Sequence, residues 1–277
     1  MPLALLPVPL PTQCRVAVDS GKFFASEEPN SQKQMLRGVI FDLDGTLLDT
    51  EHCLDLCIVR AVQTLLGVTT PPSALDAVRG HPDHGEDSWP EKMLRELNAP
   101  PEITPLQLFT EAESHFAELI QHTPKMRGAD ETVAALKASG IPMALCTSSM
   151  RHHIALKRVN HEEMFSAVCN GNPGSHVVAV EDAGKEPKPS PRPYLLAATL
   201  LGLPASECIA VEDSVPGITS AVAAGCFVVA TPLPHLRERA QELGAKLVLE
   251  SLLEWREKVA PLLAATQSAS GGASAKG

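Results

Sequence analysis

The run of residues 39–48, VIFDLDGTLL, constrains the fold of this chain more than any other stretch. Its first half is apolar and rich in β-branched and aromatic side chains, which predicts a buried strand. The strand ends at Asp42 and Asp44, and alternation along an extended chain puts both carboxylates on one face. Two negative charges so close require a shared cation or a raised pKa. An aspartate before a glycine is also ordinary turn chemistry, but two acids flanking one leucine favour a functional site.

Beyond residue 128, short apolar runs alternate with helical patterns. Strands are predicted over residues 141–147, 167–169, 207–213, 226–230 and 246–249. Strand–helix alternation at this spacing implies right-handed βαβ units. The predicted fold class is therefore α/β, with a Rossmann-like parallel sheet and helices on both of its faces. Such sheets bind ligands beyond the carboxyl ends of their strands, which is where the two acids lie.

Residues 49–127 carry helical patterns only and predict an all-helical cap domain inserted into the α/β core. Thr50 is expected to cap its first helix. The apolar face of that helix is expected to comprise Leu54, Ile58, Ala61 and Leu65. The core is then formed by residues 36–48 and 128–264.

The two ends of the chain carry no confident helix or strand pattern. Residues 1–35 begin with an apolar stretch rich in proline and are expected to be disordered or a targeting segment. Residues 265–277 are rich in Gly, Ser and Ala, and they are expected to form a flexible tail.

The net charge of −10 bears on the partners of the protein. An acidic chain is not expected to bind nucleic acid or an anionic membrane surface, although a local pocket can still hold a phosphorylated molecule. No apolar run reaches the roughly 20 residues of a membrane span. The seven cysteines lack metal-binding spacing and indicate reduced thiols in the cytoplasm. A plastid or a mitochondrion is the alternative if residues 1–35 are a transit peptide, and a monomer or weak dimer is expected.

Three more predicted strand ends or loops carry polar side chains that suit a site. Thr147 and Ser148 follow an apolar strand, where hydroxyl and backbone N–H groups can hold a phosphate oxygen. Lys188 lies among prolines and can neutralise a phosphate. Glu212 and Asp213 end a further strand. Taken singly, these features are also ordinary: a helix cap, a surface lysine and acids at a helix start.

The four motifs together resemble the haloacid-dehalogenase superfamily of phosphatases. The matching stretches, in the family's order and spacing, are FDLDGTLLDT from residue 41, CTSS from 146, KPSP from 188 and VEDSxxGI from 211. The resemblance covers about residues 37–234, and residues 49–127 fall where one subclass carries an α-helical cap. Residues 150–173 look most like the branch with pseudouridine-5′-phosphatase and glycerol-3-phosphate phosphatases, next to the β-phosphoglucomutases.

The resemblance implies roles for individual residues. Asp42 would be the nucleophile that forms an aspartyl-phosphate, and Asp44 the general acid and then the general base. Thr147, Ser148 and nearby backbone N–H groups would bind the phosphoryl oxygens. Lys188 would screen the charge between Asp42 and the phosphate.

The same resemblance implies a Mg²⁺ cofactor and a small phosphorylated metabolite as the substrate. The metal would be held by the Asp42 carboxylate, the Asp44 backbone carbonyl and Asp213, with Glu212 as a further ligand or as a partner of the ligands. Polyol, sugar and nucleoside phosphates are the expected substrates. In the cap, Arg79, His81 and His84 lie in a turn-rich loop and are candidate contacts to the leaving group.

Two alternatives stay open beside the phosphatase. A hexose-phosphate mutase of the β-phosphoglucomutase type would share all four motifs, but that group carries a histidine on the first cap helix where this chain has Leu54. A non-catalytic binding protein would be expected to lose part of the acid, hydroxyl and lysine set, which is intact here. Dehalogenases and phosphonatases lack the second acid, so Asp44 indicates phosphoryl transfer.

Overall fold

One parallel sheet organises the computed structural model, which describes residues 35–79, 87–172 and 174–263. Its six strands lie in the order β3-β2-β1-β4-β5-β6. The strands are β1 Gly38–Phe41, β2 Met143–Cys146, β3 Val177–Val178, β4 Cys208–Glu212, β5 Phe227–Ala230 and β6 Leu247–Val248. Every neighbouring pair is parallel. The predicted fold class, an α/β Rossmann-like parallel sheet, is confirmed.

The central strands are apolar because both faces of the sheet are covered by helices. Val39 and Phe41 of β1 contribute to the hydrophobic core on one face, while Ile40 contributes to the core on the other. Twelve α-helices accompany the strands in the described residues. They are α1 Thr50–Leu66, α2 Pro72–Val78, α3 Trp89–Glu96, α4 Pro105–Leu119, α5 Ala129–Ala138, α6 Arg151–Arg158, α7 Glu162–Val168, α8 Val180–Ala183, α9 Arg192–Leu200, α10 Val215–Ala223, α11 Arg237–Glu242 and α12 Trp255–Lys258.

Helices α1 to α4 have a hydrophobic core of their own. Its buried side chains include Ile58, Trp89, Met93, Leu108 and Phe116. A 3₁₀ turn, Ile120–His122, leads the chain back toward the sheet. This helical segment has the character expected of the inserted cap, whose boundaries at 49 and 127 remain a prediction.

The first helix differs from its prediction in two details. Asp49, not Thr50, is the N-cap, and its side chain accepts a hydrogen bond from the His52 N–H. Leu54 is 41% exposed, because the buried face of α1 is turned toward Cys53 and Cys57. Buried thiols pack as small apolar groups, so the two cysteines fill the position on this face that was predicted for the leucine.

The strand predicted over residues 167–169 is wrong. That apolar run belongs to the end of α7, whose Met164, Phe165 and Val168 share the buried face of a helix. The third strand is instead Val177–Val178. Two residues are too few to show an alternating pattern, so the sequence gives no strand signal there.

The structure also bears on two expectations from the sequence, the absence of a membrane span and the state of the cysteines. In the described ranges, no helix has both the length and the hydrophobicity to cross a membrane. Six cysteines within these ranges are buried free thiols, as the reduced state predicted from the sequence requires. Residues 1–34 and 265–277 lie outside the described residues, so the expectations for the terminal segments 1–35 and 265–277 remain predictions.

Candidate active site

The polar residues of the four motifs meet at the carboxyl edge of the sheet. Asp42 directly follows β1, Thr147 follows β2, and Glu212 ends β4. Strand β1 lies between β2 and β4, and the chain order reverses direction at this point of the sheet. Ligands of open α/β sheets bind at such a switch point. The topology therefore brings together residues that are far apart along the chain, such as Asp42 and Glu212.

Asp42 lies buried at the centre of the site. Its carboxylate accepts a hydrogen bond of 2.6 Å from the Lys188 ammonium, and both side chains are less than a tenth exposed. Burial, opposed by Lys188 and reinforced by the negative charges of Glu212 and Asp44, raises the pKa of Asp42 to about 8. This carboxylate therefore binds a proton or a further cation readily.

Lys188 is held by three acceptors at once. Besides Asp42 it donates to Glu212 Oε1 at 2.6 Å and to the Cys146 carbonyl at 2.8 Å. An ammonium has three hydrogens, so its donors are all used. The loop that precedes α9 thus fixes a positive charge directly beside Asp42.

Glu212 is completely buried and its two oxygens are fully engaged. Oε1 accepts from Lys188 and from the Tyr194 hydroxyl at 2.8 Å. Oε2 accepts from the backbone N–H groups of Asp213 and Ser214 and from the Ser214 hydroxyl. This set of donors suits a carboxylate that orients Lys188 better than one that binds a metal directly.

Gly217, in the first turn of α10, is required by the position of Glu212. A Cβ atom at residue 217 would lie 1.9 Å from Glu212 Oε1.

We expect Gly217→Ala to displace the carboxylate, to lower the free energy of unfolding by about 1–3 kcal/mol, and to lower activity. Chemical denaturation measures the first effect. Gly174→Ala is the matched control, because its nearest neighbour would be 4.0 Å away; equal stability of the two variants would contradict this account.

Asp44 has a different environment from Asp42, although one residue separates them. Its side chain remains 31% exposed and pairs with Lys157, whose Nζ lies 2.5 Å from Oδ1. Ser149 Oγ donates to Oδ2 at 2.7 Å, and Thr147 Oγ1 donates to Oδ2 at 3.3 Å. Burial acts to raise the pKa of Asp44, but the charge of Lys157 and the hydrogen bonds from Lys157 and Ser149 hold it below its ordinary value.

A metal ion fits beside Asp42. Carboxylate oxygens of Asp42, Glu212 and Asp213 lie within 4.8 Å of one another, and those of Asp42 and Asp213 are the ones suited to direct metal contact. Asp213 reaches over the loop after Asp44: a Cβ at Gly45 would lie 2.1 Å from Asp213 Oδ2. Burial and the neighbouring acids raise the pKa of Asp213 well above its ordinary value. A bound divalent cation would relieve this repulsion, and oxygen donors are the ligands that Mg²⁺ prefers.

Two residues of the site were missed by the sequence reasoning. Lys157 and Ser149 both contact Asp44, whereas the predicted Ser148 has an exposed side chain. The signal for Lys157 was its spacing from Ile154, because residues three apart lie on one face of a helix and both of these are buried on α6. A lysine on an apolar face is a candidate for a buried ion pair.

Arg79 lines a cleft of about 720 Å³ that extends to Asp213. The cleft is lined from the helical segment by Glu51, Asp76 and Arg79, and from the core by residues that include Asp213 and Leu236. Arg79 forms ion pairs with Asp55 and Asp76. His81 and His84 lie outside the described residues.

Comparison with known proteins agrees with this geometry. A model of the haloacid dehalogenase-like hydrolase family matches residues 36–225, and the chain belongs to that family. The chain is 30% identical over 233 residues to "Probable pseudouridine-5′-phosphatase" of Drosophila melanogaster, covering 78% of this chain and 90% of that protein. It is 31% identical over 229 residues to hexitol phosphatase A of Escherichia coli (strain K12), covering 78% and 91%.

A solved structure shows the same fold. The crystal structure of a HAD family hydrolase from Deinococcus radiodurans R1, with bound phosphate and sodium, is 25% identical and has a TM-score of 0.67. The match covers 83% of this chain and 97% of that one. The similarity therefore extends over both the sheet and the helical segment of the described residues.

Proposed function

We propose that the protein is a Mg²⁺-dependent phosphatase that hydrolyses a small phosphomonoester through an aspartyl-phosphate. The observation that carries the proposal is the pair of unlike carboxylates at the end of β1. Asp42 is buried against Lys188 beside two further acids, and Asp44 is partly exposed and held by separate donors. Carboxylates in contrasting environments can take different roles in one reaction.

In the first step, an Asp42 oxygen attacks the phosphorus while the bond from phosphorus to the leaving oxygen breaks. Asp44 gives a proton to that oxygen, so that an alcohol departs. Because the pKa of Asp44 lies below its ordinary value in the free protein, Asp44 would take up this proton from the monoanion of the bound phosphate ester. In the second step Asp44, now a carboxylate, takes a proton from a water molecule that attacks the phosphorus. The bond to Asp42 breaks, inorganic phosphate leaves, and both aspartates are regenerated.

Lys188 and the loop after β2 would stabilise the phosphoryl group. Lys188 keeps a positive charge at 2.6 Å from Asp42, where the nucleophile meets the phosphate. Thr147 is buried at the start of the loop, and its hydroxyl and the following N–H groups suit phosphate oxygens. Phosphoryl transfer depends mainly on such positioning and charge stabilisation.

Asp42 and Asp213, with the backbone carbonyl of Asp44, would hold Mg²⁺. When bound, the ion would supply positive charge to the transferring phosphoryl group. Among the described residues of the site, four carboxylates face two ammonium groups. Two excess negative charges suit one divalent cation.

The walls of the cleft favour a neutral leaving group that carries hydroxyls, as in a polyol, sugar or nucleoside phosphate. Glu51 and Asp76 line it beside Arg79, and carboxylates accept hydrogen bonds from hydroxyl groups but repel a second anion. Relatives named as a pseudouridine-5′-phosphatase and a hexitol phosphatase agree with this class. Leu54, where a mutase would carry a histidine, lines the adjoining cavity with a hydrocarbon side chain.

Phosphate release by the purified full-length chain tests this function. We expect release from a panel of polyol, sugar and nucleoside monophosphates with Mg²⁺, its loss on addition of EDTA, and its recovery with excess Mg²⁺. An isomeric sugar phosphate formed without inorganic phosphate would identify a mutase instead. Activity that persists in EDTA after dialysis against a chelating resin would contradict the metal requirement, and no release from any ester would refute the proposal.

A further inference from the structure

Lys157 is a buried lysine for which the proposed reaction has no role yet. Its side chain is 3% exposed, and Ile154 is the only other buried residue of α6. A lysine is rarely buried unless it is paired, because its charge loses hydration. The contacts of its ammonium group therefore indicate what Lys157 does.

The ammonium of Lys157 contacts the proton-transfer carboxylate and one of its other partners. It donates to Asp44 Oδ1 at 2.5 Å and to Ser149 Oγ at 2.7 Å, while Ser149 Oγ donates to Asp44 Oδ2 at 2.7 Å. These three groups form a closed ring in which both oxygens of Asp44 are held. A carboxylate held at both oxygens cannot rotate freely about its side-chain bonds.

Helix α6, which carries Lys157, is itself fixed against the end of the helical segment. The Asn160 side-chain amide, just beyond the helix, donates to the Gln121 carbonyl at 2.8 Å. His161 Nε2 lies 2.9 Å from the Thr123 carbonyl oxygen, and the ring of His153 lies 4.6 Å from that of Phe116. The base of the lysine is therefore anchored on the side of α6 that faces the helical segment.

We propose that Lys157 is a positioning residue that holds the carboxyl group of Asp44 at the place where it exchanges protons with the leaving group and with water. The inference rests on the proposed phosphatase function. Lys157 is not assigned to the phosphoryl group, because Lys188 occupies the position beside Asp42 and the Lys157 ammonium is directed at Asp44 and Ser149. Its loss should affect only the steps that depend on Asp44.

The dependence on the leaving group tests this role. An alkoxide needs a proton as it departs, whereas 4-nitrophenolate does not. With Lys157→Met we expect kcat/KM to fall by about 10²-fold for the best alkyl phosphate of the panel and to change little for 4-nitrophenyl phosphate. The water step also uses Asp44, so kcat for 4-nitrophenyl phosphate should fall, and rapid mixing should show a burst of 4-nitrophenolate before a slow steady state.

Two further variants separate positioning from folding. Ser149→Ala keeps the lysine and removes one hydrogen bond to Asp44. It should therefore change the kinetic constants for both substrates in the same directions as Lys157→Met, but by a smaller factor. In an Asp44→Asn background, Lys157→Met should cause no further loss, because the residue that it positions is already gone. Lys137→Met is the matched control, since Lys137 is an exposed lysine on α5. This variant should leave kcat and kcat/KM for both substrates unchanged.

The possible outcomes are distinguishable. Equal loss of kcat/KM for the alkyl and aryl esters in both Lys157→Met and Ser149→Ala, an additive loss in the Asp44→Asn background, or unchanged kinetics would each overturn the positioning role. None of these results would affect the proposed phosphatase function. If the wild-type chain releases phosphate from no ester, the function itself fails, and the inference fails with it.

Discussion

Replacing Asp42 by asparagine should lower phosphate release by about 10⁴-fold or more. The amide has the shape of the carboxylate but cannot form an acyl phosphate, so the first step is lost. The amide oxygen can still accept the hydrogen bond from Lys188, which in the wild type measures 2.6 Å. Because burial and the neighbouring acids raise the pKa of Asp42 to about 8, removing its charge should not reduce stability. We therefore expect an inactive variant that unfolds at the same temperature or higher.

Rapid quenching with acid during turnover of 4-nitrophenyl phosphate supplies an independent measurement. Mass spectrometry of the wild-type chain should find one phosphoryl group on the peptide that contains Asp42, and none on the asparagine variant. Asp130→Asn is the control, because Asp130 is an exposed residue of α5 whose ion-pair partner is Lys125. Substantial turnover by Asp42→Asn would contradict the nucleophilic role.

The site was largely predictable wherever its residues follow strands. Asp42, Thr147 and Asp213 come directly after apolar runs, and the carboxyl ends of parallel strands share one edge of the sheet. Lys188 was identified from its prolines and from the resemblance to a family. Its contacts with Asp42 and Glu212 join residues 146 and 24 positions away, and no local pattern contains such distances.

The parts that the sequence did not predict have a common physical reason. Lys157 belongs to a helix in which most residues are polar, so its single buried charge is hidden among solvated ones. The prediction named Ser148 and not Ser149, its neighbour in the same loop. Only the path of the backbone decides which of the two hydroxyls faces Asp44. Strand β3 has two residues, which is too short for a periodic signal. In each case tertiary packing, rather than local preference, determines the outcome.

Replacing Lys188 by methionine should have the largest effect on stability and should also abolish phosphate release. The side chain of Lys188 is 4% exposed and neutralises both Asp42 and Glu212. Methionine fills a similar volume but leaves two buried carboxylates without their cation. Removing one partner of a buried ion pair costs about 3–5 kcal/mol, so we expect a loss of that size in denaturation at pH 8 without metal. Lys185→Met, in the same loop but exposed, should be neutral.

The pH dependence identifies the electrostatic origin of this loss. A carboxyl group whose pKa is higher in the folded than in the unfolded chain stabilises the fold at low pH, and that contribution is lost as the pH rises. For Asp42 the loss in the metal-free wild type extends from about pH 4 to its folded pKa of about 8. Lys188 lowers that pKa, so without it the loss should continue to higher pH. The stability difference between wild type and variant should therefore be smallest at pH 5 and should widen toward pH 9.

Combining Lys188→Met with Asp42→Asn tests the same cause without a change of pH. If the variant is unstable because Asp42 keeps an uncompensated charge, the asparagine should recover part of the lost stability at pH 8, although activity stays absent. A packing defect predicts additive effects instead: Asp42→Asn would raise the stability of the Lys188→Met variant no more than it raises that of the wild type, and the difference between Lys188→Met and wild type would stay constant between pH 5 and pH 9. Recovery in the double variant would place the function of Lys188 in charge compensation, since the methionine side chain fills the same space in both proteins.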